Sequence, residues 1–165
     1  MKVKTKKTIR AISFVLAVGI MLFIFTMSAQ DATESSATSG SIIRLIAPIL
    51  NWNFGNLSEA GQAEFISSLQ HIVRKFAHFS IYTALGFFLS TGMFTFSKLK
   101  IYSRVAVGFL IGAVYAVTDE IHQSFIPGRS CELRDVLIDS GGVMLGVAII
   151  FLIYNIYKQR KKTCR

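Results

Sequence analysis

The hydrophobic residues of this chain are concentrated in four long stretches, each interrupted by few charges. At 1.5 Å per residue, about 20 helical residues cross the roughly 30 Å hydrocarbon core of a bilayer. The pattern therefore predicts an all-α polytopic membrane protein, in which the whole chain, residues 1–165, forms one domain. The four predicted transmembrane helices are at about residues 9–27, 76–96, 105–125 and 136–157.

The segment between the first two predicted spans, residues 28–75, is more polar and is expected to be extracellular. It opens with a Ser, Thr, Ala and Gly stretch through Ser41, whose composition is typical of a flexible linker. Apolar residues then recur at helical spacing and are followed by Trp52, which predicts a short amphipathic helix at the membrane interface. These residues are Ile42, Leu45, Ile46, Ile49 and Leu50. Pro48 is expected to break or kink this helix.

Composition supports a membrane protein, with 52% hydrophobic and only 16% charged residues. The net charge of +9 does not indicate nucleic-acid binding, because the basic residues flank the apolar stretches. Five lie among the first ten residues and five among the last eight, while Lys98, Lys100 and Arg104 lie between the second and third spans. Because Lys and Arg are retained on the cytoplasmic side, both termini are predicted to be cytoplasmic.

The first span has a second interpretation. Its basic start, apolar run and Ser28-Ala29-Gln30 resemble a cleaved signal peptide. The apolar run is longer than is typical of such peptides, however, and Met27 occupies a position where a small residue is expected. The retained transmembrane helix is therefore preferred, and the remaining topology is the same in either case.

Polar residues are expected to meet at the outer ends of the last three spans. An isolated charge at the centre of a membrane helix costs about 2.5–3.5 kcal/mol, so charges there are usually paired or functional. One alternative is purely structural, with Arg74 or Arg129 pairing with Asp119 or Asp135. The mixture of residue types favours a binding site instead. Its candidate residues are Arg74, His78, Tyr82, Asp119, Glu120, His122, Gln123, Arg129, Asp135 and Asp139.

Glycine and proline positions give two further predictions. Pro127-Gly128-Arg129 is expected to form a tight turn over the polar ends. Gly108 with Gly112 and Gly142 with Gly146 are small residues four apart, which predicts close helix packing.

The motif residues resemble the VanZ-like family of bacterial integral membrane proteins. The resemblance rests on residues 74–82, residues 115–129, Arg134-Asp135 and Gly142. It implies a multi-pass protein of the bacterial cell membrane. The family's namesake is associated with low-level resistance to teicoplanin, a lipidated glycopeptide, so the resemblance implies a phenotype without a reaction. Many relatives carry Glu just before the motif Tyr, where this chain has Ile81, which argues against a metal centre needing a carboxylate from the second span.

Two functions stay open. In the first, the outward-facing polar residues bind a lipid head group or cell-wall precursor, with membrane lipids or a lipoglycopeptide as partners and no nucleic acid. In the second, the protein is a membrane-embedded hydrolase or transferase acting on a lipid-linked substrate. Glu120 and His122 are then the catalytic candidates. The sequence requires no cofactor but permits a divalent metal, for which the candidate ligands are Asp119, His122, Asp135 and Asp139.

Overall fold

A computed structural model describes residues 3–163, so both extreme termini, including Cys164, lie outside the described residues. The described residues form five α-helices and one 3₁₀ turn, which confirms the all-α prediction. The turn is Phe54–Asn56. The helices are α1 (Val3–Ser28), α2 (Ala32–Leu50), α3 (Glu59–Phe94), α4 (Ile101–Gln123) and α5 (Leu133–Thr163).

Among the described residues, three helices are long and apolar enough to cross a membrane: α1, α4 and the Leu133–Lys161 part of α5. The predicted span at 76–96 lies mostly in α3, which ends at Phe94 and is not one of them, so the four-span prediction is not confirmed. The reason that α3 is less apolar is its position in the bundle. Helix α3 contacts each of the other four helices, and polar residues such as Tyr82 and Ser90 are fully buried between them. An inner helix needs less apolar surface than one facing lipid.

Two apolar cores hold the helices together, and α3 contributes to both. The larger core joins α1, α3, α4 and α5, with Leu85 of α3 and Val143 of α5 fully buried at its centre. The smaller core lies between α2 and the N-terminal part of α3, where Ile43 and Ile66 are buried. At 36 residues, or about 54 Å, α3 is long enough to take part in both.

Side-chain contacts fix the relative directions of the helices. Helices α3 and α5 run parallel, because Lys75 pairs with Asp135 near one end and the rings of Phe94 and Tyr154 lie 5.2 Å apart near the other. Helix α1 runs opposite to α3, since Arg10 Nε donates to Thr95 Oγ1 at 2.9 Å. The last residues of α1 and α4 and the first turns of α5 therefore meet at one end of the bundle, around the middle of α3.

Glycines bring α3, α4 and α5 into close contact, as predicted. A Cβ atom at Gly142 would collide with the carbonyl oxygen of Phe79, and one at Gly146 with that of Thr83. On α4, a Cβ at Gly108 would lie 2.9 Å from Ser90 Oγ. Such distances leave no space for a side chain, so these backbones pack directly on their neighbours.

The segment expected to be flexible is helical. Helix α2 begins directly after Asp31, whose carboxylate accepts the Glu34 N–H at 2.8 Å and caps the helix. Its small residues then pack against α3: Gly40 is buried, and a Cβ there would lie 3.3 Å from Gln70 Nε2. The short amphipathic helix is not confirmed, because its apolar residues form the second half of this 19-residue helix. Pro48 does not break it, since α2 continues to Leu50.

Candidate functional site

The bundle end described above holds a group of polar side chains, here called the polar cluster. It is built around the middle of α3, the end of α4, the loop that follows and the start of α5. Six of its members, including Tyr82 and Glu120, are buried. The cluster consists of Ser28, Arg74, Lys75, His78, Tyr82, Asp119, Glu120, Gln123, Arg129, Asp135 and Asp139.

Asp119 is the centre of a buried hydrogen-bond network. Its Oδ2 accepts from Ser28 Oγ at 3.0 Å and from Gln123 Nε2 at 3.1 Å. Gln123 in turn accepts from Arg129 Nη1 at 2.9 Å through its Oε1. The network connects α1, α4 and the following loop. Sequence reasoning assigned no role to Ser28, although a polar residue directly at the end of an apolar run was the available signal.

A tight turn positions Arg129. The Arg129 N–H donates to the Ile126 carbonyl at 3.1 Å across Pro127 and Gly128, and Gly128 has a φ of +74°. This is a type II turn, whose third residue needs the left-handed conformation that glycine adopts readily. The predicted turn is confirmed, and it folds the Arg129 guanidinium back onto the cluster.

The two arginines of the cluster have no carboxylate partner among the described residues. Arg74 donates to Ser36 Oγ at 3.3 Å, and Arg129 donates to Gln123. The Nε atoms of both are buried without an acceptor. Burial, followed by the nearby Arg74 charge, lowers the pKa of Arg129. The purely structural alternative, in which these arginines pair with Asp119 or Asp135, is not what the structure has: Asp135 pairs with Lys75, and Asp119 accepts from Ser28 and Gln123.

The acids of the cluster have different surroundings. Asp135 pairs with Lys75, whereas Asp139 Oδ2 lies 3.5 Å from His78 Nδ1. Glu120 is 1% exposed, and its Oε2 accepts the backbone N–H of Glu132 at 3.0 Å. That contact ties α4 to the start of α5.

His122 does not join the other candidate residues. Its ring stacks on Phe25 of α1, with centroids 4.4 Å apart and planes 13° apart. The structure thus brings together nine of the ten candidate residues, and it places the imidazole of His78, not that of His122, beside Asp139. Asp135 is likewise held by Lys75, one helical turn before Asp139. The proposed metal ligands His122 and Asp135 therefore lie outside the group formed by Asp119, Asp139 and His78.

Two cavities meet at the cluster. A polar cavity of about 140 Å³ is lined by residues of α3, α5 and the 124–132 loop, among them Lys75 and Asp139. An apolar groove of about 210 Å³ lies between α1, α2 and α3, with Ile24, Ile42 and Ile81 among its lining residues. Three residues line both cavities: Arg74, His78 and Arg129.

These features define a helical protein with three helices long and apolar enough to cross a membrane and a buried polar site at one end of its bundle. The VanZ/LLP1 family model matches residues 13–154, and the chain belongs to this family. No curated protein and no solved structure matches the chain.

Proposed function

We propose that this protein binds an amphiphile with an anionic, phosphate-bearing head group at the cell membrane. The observation that carries the proposal is the junction of the two cavities at Arg74, His78 and Arg129. A molecule held there has its charged group against the two guanidinium groups and its hydrocarbon chain in the apolar groove. Lipids and lipid-linked cell-wall precursors both have this chemistry.

The arginines supply the charge complementarity. Each guanidinium has a buried Nε without an acceptor, and no described carboxylate pairs with either. Two neighbouring positive groups repel each other, and a phosphate between them would relieve that repulsion while accepting their free donors. Gln123 already holds Arg129 in place, so the group is oriented before a ligand arrives.

The groove supplies complementarity for a chain. Most of the surface that lines it is apolar, with contributions from Phe23 and Met27 of α1 and Val73 of α3. The only charged residues that line it are Arg74, His78 if protonated, and Arg129, at its junction with the polar cavity. Burial of a hydrocarbon chain is favourable by about 0.8 kcal/mol per methylene group.

The proposal includes the orientation of the protein. The C-terminal part of α3 is the fourth transmembrane crossing, enclosed by α1, α4 and α5, and the polar cluster faces the outer side of the bacterial cell membrane. Both termini are then cytoplasmic, since the basic residues Lys98, Lys100 and Arg104 lie at the opposite end from the cluster.

Binding is tested with purified full-length protein in detergent, using phosphatidic acid, polyprenyl phosphate, diacylglycerol and inorganic phosphate as separate probes. Tight binding of the two phosphorylated amphiphiles is expected, with weaker binding of diacylglycerol and of phosphate alone. Preference for one of the two distinguishes a phospholipid from a cell-wall carrier. Removing a charge-assisted contact costs about 1.5–3 kcal/mol, so Arg129→Gln should weaken binding by roughly tenfold to a hundredfold.

Arg44→Gln is the matched control. Arg44 is an exposed arginine of α2 outside both cavities, so its loss should leave binding unchanged. The groove is tested with Ala77→Phe, which narrows it, against Ser80→Phe at an exposed position of the same helix. Equal binding of phosphatidic acid by wild type and Arg129→Gln would overturn the proposal, as would equal affinity for phosphatidic acid and diacylglycerol.

In cells, we propose that this binding lowers the effect of teicoplanin, whose acyl chain brings it to the membrane surface. A sensitive Gram-positive host expressing wild type should tolerate teicoplanin better than a host with empty vector, whereas tolerance of vancomycin, which has no acyl chain, should be unchanged. Arg129→Gln at a matched membrane level should remove the protection. Protection that persists in this variant would separate the phenotype from the site.

A further inference from the structure

Three side chains from three helices converge within the polar cluster. They are His78 of α3, Asp119 of α4 and Asp139 of α5, and one potential ligand atom of each lies within 4.8 Å of the other two. No other group of three or more His, Cys, Asp or Glu side chains with this spacing occurs in residues 3–163. Convergence of an imidazole and two carboxylates from separate helices resembles the way metal sites form inside helix bundles.

Several buried oxygen atoms of the polar cluster make no hydrogen bond, although one of them, Asp139 Oδ2, lies 3.5 Å from His78 Nδ1. Asp119 is 3% exposed and Asp139 is 1% exposed, yet Asp119 Oδ1 and Asp139 Oδ2 are buried without a hydrogen bond. The Tyr82 hydroxyl, one helical turn beyond His78, is also buried and unpartnered. Buried polar atoms are almost always satisfied, so several orphaned oxygens in one place indicate an occupant that satisfies them.

Charge points to a cation as this occupant. Two buried carboxylates close together repel each other, and neither arginine of the cluster pairs with either of them. Lys75 is paired with Asp135, so it is not available to Asp139. Among the side chains that directly contact these two carboxylates, only His78 can carry a positive charge, and only when it is protonated.

We propose that His78, Asp119 and Asp139 bind one divalent metal ion, such as Zn²⁺ or Mn²⁺. Imidazole with carboxylate oxygens suits these ions, whereas Mg²⁺ and Ca²⁺ prefer oxygen ligands alone. Asp119 is oriented by Ser28 and Gln123, which both donate to its Oδ2 and leave Oδ1 for the ion. Hydrogen bonds of this kind fix the geometry of metal ligands. Because α3 provides the nitrogen ligand, the site does not need the carboxylate that Ile81 replaces.

The test uses purified full-length protein that has been stripped with a chelator and then loaded separately with Zn²⁺, Mn²⁺ or Mg²⁺. Metal content is measured by mass spectrometry after removal of free ions, and affinity by calorimetry. Wild type should retain about one Zn²⁺ or Mn²⁺ per chain. His78→Gln, Asp119→Asn and Asp139→Asn should each lower the affinity by about tenfold or more, because each removes one of three ligands.

Controls separate ligation from folding. Glu132→Gln and His71→Gln remove an acid and a histidine that line the polar cavity but lie outside the three-residue group, so both should bind metal like wild type. Metal should raise the melting temperature of wild type and of these controls, but not that of Asp139→Asn. This comparison stays informative even where a variant is less stable without metal.

Two results would overturn the proposal: no stoichiometric metal on wild type, or equal metal affinity in wild type and in both His78→Gln and Asp139→Asn. The outcome is independent of the proposed lipid binding, because Arg129→Gln should lose phosphatidic acid while keeping the metal. Loss of both phosphatidic acid and metal by Arg129→Gln would show that this substitution disrupts the whole cluster. That result would count against assigning the two roles to separate residues.

Discussion

Residues of the same type have different tasks within the polar cluster, and their contacts distinguish them. Asp119 has one carboxylate oxygen held by two donors and the other free. Glu120, its neighbour in sequence, uses its Oε2 to accept the Glu132 N–H. The first arrangement leaves capacity for a ligand, whereas the second attaches the loop to α4. Glu120 is therefore better explained as a structural residue than as the catalytic base considered from the sequence.

This difference predicts the effect of Glu120→Ala. Loss of the acceptor leaves a backbone N–H unsatisfied and opens space at a residue that is 1% exposed, so we expect a loss of about 1–3 kcal/mol of stability. Thermal unfolding in detergent measures it. Glu64→Ala, at an exposed position of α3, should change little. Equal stability of the two variants would contradict the structural role of Glu120.

The sequence indicated which residues cluster but not every partner. Helical spacing of three and four residues puts Asp119, His122 and Gln123 on one face of α4, and Asp119 and Gln123 do share a network. Spacing does not state which helix lies opposite each face, and His122 faces Phe25 of α1. For the same reason, the sequence did not show that His78 lies beside Asp139. It also did not show that Lys75, which is absent from the candidate residues, pairs with Asp135.

At the scale of elements, structure that depends on one or two residues is predicted more reliably from the sequence than structure that depends on packing. The Pro127-Gly128 turn and the glycine contacts are each determined by one or two residues, and the structure has both. Helix α2 was missed in its first half because Ser, Thr and Gly favour loops. Its stability comes from the Asp31 cap and from packing on α3, and the second of these is not visible locally.

The glycine contacts predict how α3 and α5 respond to a single methyl group. Gly146→Ala places a Cβ against the carbonyl oxygen of Thr83, a backbone atom that moves only with the helix. We expect a loss of about 1–3 kcal/mol, typical of overpacking, measured by thermal unfolding.

Gly19→Ala provides the control for helix propensity. A Cβ at Gly19 of α1 meets no atom within 4 Å, so this change should be neutral or stabilising by up to about 1 kcal/mol. If Gly146→Ala were as stable as Gly19→Ala, α3 and α5 would not pack as closely as the structure has them.

For the whole molecule, helix α3 is the element whose environment matters most. Apolar composition alone identifies α1, α4 and α5 as able to span a membrane. Helix α3 differs because polar residues such as Tyr82 and Ser90 are buried inside the bundle, where α3 contacts all four other helices. Some of its polar residues form part of the polar cluster. The polar residues that distinguish α3 from the three apolar helices are thus the residues that build the site.

The proposed orientation predicts which loops an impermeant maleimide reaches in intact cells. Cys131 is an exposed free cysteine in the loop between α4 and α5, and the proposal places it outside. In a Cys131→Ser, Cys164→Ser background, Asn53→Cys should also label, because it precedes α3 on the same side. Ser97→Cys, in the loop between α3 and α4, should label only after permeabilisation, because Lys98 and Lys100 hold that loop inside. Labelling of Asn53→Cys and Ser97→Cys from the same side would mean that α3 does not cross the membrane.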